Sequence, residues 1–128
     1  MRRAIVLSLG VALIGGLLSS GALANHRPNT FCSQTGDFCQ STTKNRNGVR
    51  ILQFRSFAHR GKVNVCVKAP TNTRTCVKDR FRDGNDDSVF VTRLRWSTNF
   101  PNEGPGAYTV VWRQNGSRTG KRLGFHRN

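Results

Sequence analysis

Acidic side chains are scarce in this chain: one glutamate, Glu103, and five aspartates stand against 21 lysines and arginines. A hydrolase built on two carboxylates would have to hold Glu103 opposite an aspartate across a cleft. The spacing of Asp37, Asp79, Asp83, Asp86 and Asp87 singles out no such partner. Histidine is also sparse, and His26, His59 and His126 each stand alone. Long apolar runs are missing too. The one candidate, Ala4 to Leu18, is broken by Gly10, Gly15 and Gly16 and falls short of the ~20 residues that span a bilayer. No segment sustains a helical period of apolar residues over three turns, which excludes a helical bundle.

What the first residues do contain is an export signal. Met1, Arg2 and Arg3 supply a positive start, the apolar run follows, and Ala22-Leu23-Ala24 closes it as an A-x-A cleavage site. The chain therefore divides into a signal peptide at 1–24, an irregular polar lead-in at 25–36 and one domain at 37–128. Cleavage leaves 104 residues with a formal charge of +13. That length suits one domain with its own core. No later segment spans a membrane, so the mature protein is expected to be secreted, extracellular and monomeric.

Four cysteines, Cys32, Cys39, Cys66 and Cys76, follow the signal. An even number in an exported chain predicts two disulfides. Zinc is the competing reading, but the spacings are too long for paired ligands and no histidine lies close. No metal or other cofactor is expected.

Beyond residue 36 the apolar residues alternate in short runs separated by turn signals, the all-β pattern. Strands are predicted over 38–43, 49–57, 62–67, 74–81, 89–96, 107–113 and 118–126. Asn45-Arg46-Asn47-Gly48, Pro70-Thr71-Asn72 and Asn115-Gly116 supply turns between them. Cys66 and Cys76 are equidistant from the turn near Thr71, so a regular hairpin sets them opposite each other, within reach of a disulfide. Cys32–Cys39 is then the second bond.

Seven short strands in about 90 residues fit a two-sheet sandwich of immunoglobulin type. The stretch Gly104-Pro105-Gly106-Ala107-Tyr108-Thr109-Val110-Val111-Trp112 resembles the corner of such folds, where a tyrosine hydroxyl bonds back to the preceding backbone. From Cys32 to Phe125 the order of elements resembles small secreted immunoglobulin-like proteins of actinobacterial type, a family of unknown function. The resemblance implies the sandwich fold and carries over no active-site residues.

Candidate chemistry is thin. His59 and His126 would have to serve as the acid and base of a nuclease, yet they read as exposed histidines at a turn and a strand end. Asp83-Gly84-Asn85-Asp86-Asp87 offers oxygens for calcium, but Ser88 and Leu94 occupy positions where a calcium loop needs glycine and glutamate. A turn is the simpler reading.

Charge is the remaining signal. Arg93 and Arg95 alternate with Leu94 and Trp96 and should line the outside of their strand, while Arg113, Arg118, Lys121 and Arg122 crowd the last hairpin. Such a surface attracts anionic polymers. The basic residues fall on strands of both sheets, so the pattern predicts no single patch. The expected function is a non-enzymatic binding domain for anionic extracellular polymers (cell-wall teichoic acid, acidic polysaccharide or nucleic acid), with those six residues as the binding set. The rivals are a small cationic nuclease or antimicrobial toxin using His59 or Glu103, and a protein-binding module such as a protease inhibitor using a loop near Pro70 or Glu103.

Overall fold

The computed structural model describes residues 27–85 and 88–128. The expected export signal at 1–24 and His26 lie outside the described residues, as do Asp86 and Asp87. The described chain forms β1 (Thr30–Cys32), β2 (Phe38–Ser41), β3 (Ile51–Ser56), β4 (Lys62–Lys68), β5 (Arg74–Arg80), β6 (Arg82–Asp83), β7 (Phe90–Arg95), a helical turn α1 (Trp96–Asn99), β8 (Gly106–Gln114) and β9 (Ser117–Arg127). They make two antiparallel sheets, one ordered β1-β2-β3-β7-β6 and the other β5-β4-β8-β9. This is the expected all-β sandwich.

The core lies between the sheets and follows strand alternation. Leu52 and Phe54 of β3 meet Val63, Val65 and Val67 of β4, Tyr108, Val110 and Trp112 of β8, and Leu123 and Phe125 of β9. Fully burying a side chain of this kind contributes about 1.5–3 kcal/mol, so the two inner faces hold the layers together. Phe54 and Trp112 pack edge to face across the sheets, with ring centroids 5.5 Å apart. The tyrosine corner is present. The Tyr108 hydroxyl donates to the Gly104 carbonyl at 2.7 Å and accepts the Glu103 N–H at 3.1 Å.

Turn chemistry sets the hairpins. Asn115 and Gly116 both have positive φ, 50° and 78°, the paired left-handed conformation that a two-residue hairpin requires. Both disulfides form, and Cys32↔Cys39 and Cys66↔Cys76 each stand in direct register on neighbouring strands.

Three elements differ from the sequence reading, one of them β6, whose Asp83 falls in the expected turn. The lead-in at 25–36 contains β1, a three-residue strand whose single apolar residue is Phe31. Its pairing with β2 and the Cys32–Cys39 bond define it, and neither leaves a periodic signature. The strand expected to run through Trp96 ends at Arg95. There the Trp96 N–H donates to the Arg50 carbonyl, and the Asn99 side chain donates to the Arg95 carbonyl at 2.8 Å, closing one helical turn. Trp96 is still buried, as expected.

Candidate functional site

The outer face of the four-stranded sheet is built from the residues that alternate with the core valines and aromatics. On β4 these are Lys62, Asn64, Cys66 and Lys68, and on β5 they are Arg74, Cys76, Lys78 and Arg80. On β8 they are Ala107, Thr109, Val111 and Arg113, joined on β9 by Arg118 and Arg122. This face thus presents eight lysines and arginines, with no carboxylate among its outward residues.

Several of these cations face one another. Lys62 stands opposite Arg80 and Lys68 opposite Arg74, while Arg113 stands opposite Arg118. Like charges directly opposed across antiparallel strands destabilise a sheet. The described acids do not relieve them. Asp79 points the other way, accepting from the Thr92 hydroxyl and pairing with Arg82 at 3.4 Å. Glu103 accepts from the Thr71 hydroxyl at the end of the sheet.

A groove of about 620 Å³ lies on this face. Its cationic lining is Arg27, Lys68, Arg74, Arg113 and Arg122, and Cys66, Thr109 and Val111 lie among them. Arg27 reaches the groove because the N-terminal segment lies along β9, where the Gly124 N–H donates to the Pro28 carbonyl at 3.0 Å. A Cβ at Gly124 would sit 3.1 Å from the Arg27 Cβ, so the absent side chain lets the segment approach. Arg113 donates from Nη1 to the Gly116 carbonyl at 3.4 Å. Its buried Nε has no acceptor.

The six residues singled out from the sequence divide three ways. Arg113, Arg118 and Arg122 share this face, with two of them in the groove. Lys121 lies beside them in sequence but its Nζ is 5.3 Å from the Phe31 ring centroid, at the seam where β9 meets β1. Arg93 and Arg95 lie on the outer face of the other sheet. They border a separate hollow of about 380 Å³ with Lys44, and the Arg93 Nε donates to the Gln53 side chain at 3.0 Å. The expectation of no single patch is therefore incomplete, because alternation and register gather cations from four strands. Lys68 and Arg74 were missed although their signal was present. Both occupy the same outward parity as Cys66 and Cys76, whose pairing the sequence reveals.

Two of the candidate catalytic residues, His59 and Glu103, hold structural contacts. His59 is half-buried rather than exposed, with its Nδ1 2.8 Å from the Ser56 Oγ and its ring 5.0 Å from that of Phe38. Burial pushes its pKa below the usual histidine range, opposed by the charge of Asp37. His126 is exposed on β9. Among the described residues, no cluster of three metal-ligating side chains is present, no cysteine is free, and no helix is long and apolar enough to cross a membrane. No protein-family model, curated protein or solved structure matches this chain.

Proposed function

We propose that this chain is a secreted, non-enzymatic binding domain that holds an anionic extracellular polymer against the outer face of its four-stranded sheet. The observation that carries the reading is the set of opposed like-charge pairs, Lys62/Arg80, Lys68/Arg74 and Arg113/Arg118. Such pairs cost stability, and a polyanion laid over them turns each repulsion into attraction while releasing its own counterions. Export agrees with the 1–24 signal in the sequence and with the disulfides, which persist in oxidising surroundings. Cell-wall teichoic acid, acidic polysaccharide and nucleic acid are the polymer classes this charge suits.

Two variants test it. Converting Lys68, Arg74, Arg113 and Arg122 to Gln removes four charges from one face, and converting Lys44, Arg55, Arg93 and Arg95 to Gln removes four from the opposite side. The first should lower affinity for a mixed panel of polyanions at least about tenfold and flatten the salt slope by roughly 3, at about 0.7–0.9 per phosphate contact. The second should do far less. Equal losses would mean diffuse attraction and no binding face.

A further inference from the structure

We infer that the polymer is a single-chain poly(phosphodiester) without bases, of the poly(glycerol phosphate) kind, an inference that rests on the binding face proposed above. Three features of the groove select it. The first is the absence of a stacking platform. Trp96, Tyr108 and Trp112 are buried between the sheets, and the one exposed large hydrophobic side chain among the described residues, Phe57, follows β3 on the other sheet. The uncharged lining of the groove includes a disulfide cysteine, a threonine and a valine and no aromatic side chain. Proteins that hold single-stranded nucleic acid rely on aromatic stacking worth about 1–3 kcal/mol per base. Here bases would gain nothing and would have to be accommodated as bulk.

The second feature is spacing. Neighbouring strands lie about 4.8 Å apart, and outward residues repeat along a strand about every 6.8 Å. Lys68 and Arg74 are cross-strand neighbours, and Arg113 lies on the strand beyond β4. Lys68 and Arg74 suit adjacent charges of one chain, and Arg113, opposite Asn64 and four residues along β4 from Lys68, meets the same flexible chain about 14 Å further on. The third feature is donor type. Four of the five cationic side chains in the groove are arginines, whose guanidinium fork matches two phosphate oxygens at once. The buried Nε of Arg113 lacks an acceptor in this conformation, and a turn of the side chain into the groove would give it a phosphate oxygen.

The test compares the secreted protein's affinity, at one ionic strength, for poly(glycerol phosphate), oligo(dT), duplex DNA and polygalacturonate of matched charge number. Poly(glycerol phosphate) should bind at least about tenfold more tightly than the other three, and Arg74→Gln with Arg113→Gln should erase most of that preference. Equal affinity for all four would overturn the inference. So would a preference for oligo(dT) or duplex, which would assign a nucleic acid, or for polygalacturonate, which would assign an acidic polysaccharide. In each of those cases sensitivity to the groove substitutions would still support the binding face. Insensitivity of every polymer to them would overturn both.

Discussion

Lys68 and Arg74 stand directly opposite each other across the β4–β5 pair, and neither joins an ion pair with a described carboxylate. The Arg74 guanidinium lies 3.5 Å from the Cys66 sulfur. Replacing Arg74 with Glu turns this repulsion into an opposite-charge pair, which should stabilise the fold by about 0.2–1 kcal/mol. The same change should weaken polyanion binding. Chemical denaturation and a binding titration on one preparation check both. A variant that loses stability, or binds as before, contradicts the assignment of this face.

The Cys66–Cys76 bond closes a short loop across the same hairpin. Replacing both residues with Ala should cost about 2–4 kcal/mol, read from the urea midpoint. Non-reducing mass spectrometry of the intact protein should find no free thiol, and Cys66 linked to Cys76.

Tyr108→Phe removes the hydroxyl that ties the Gly104 carbonyl and the Glu103 N–H to β8. Two backbone groups lose a partner while the aromatic packing stays. The expected cost is about 1–3 kcal/mol, with little effect on polymer affinity, since Tyr108 is buried between the sheets and does not line the groove. A stability change near zero would show that water replaces the tyrosine without loss.

His59 makes stability depend on pH. Its folded pKa is lowered by burial, with Asp37 opposing, so the unfolded chain binds the proton more readily than the folded one. The fold is therefore favoured above the unfolded pKa, about 6.5, and that contribution is lost as pH falls through the folded value. Denaturation midpoints should fall between pH 7 and 5, and His59→Gln should flatten that part of the profile. An unchanged slope in the variant would assign the dependence to the carboxylates.

All seven predicted strands are present, and all but β2, where Phe38 and the buried Gln40 point inward, carry two or more inward apolar residues at even spacing. The Tyr108 corner and the Cys66–Cys76 register were legible for a related reason: a local spacing encodes them. β1 and β6 were not legible, since strands of three and two residues exist only through their partners. The basic face was partly hidden for a topological reason. β8 pairs with β4 across a gap of some forty residues, and that pairing brings Arg113 beside Asn64, one strand from Lys78. Nothing in the last hairpin alone reports it. Lys121 misled in the opposite sense, because the irregular register between Val110 and Trp112 lets three residues of β9 oppose one of β8. Sequence neighbours there do not share a side.

The charge of this molecule is unevenly layered. One broad face carries eight cations, while the opposite side carries four, Lys44, Arg55, Arg93 and Arg95, with Arg82 of β6 paired to Asp79. A slab charged more heavily on one side has an electric dipole across its thickness, and a distant polyanion exerts a torque on it. Under the proposed function, the molecule would turn its four-stranded sheet toward the polymer before contact, within the ~8 Å over which physiological salt leaves the field unscreened. Steering of this kind raises association rates by about 10- to 1,000-fold. On that reading the layering would govern how fast the protein is captured as well as how long it stays. Moving four cations to the opposite face at constant composition would slow capture without changing the net charge.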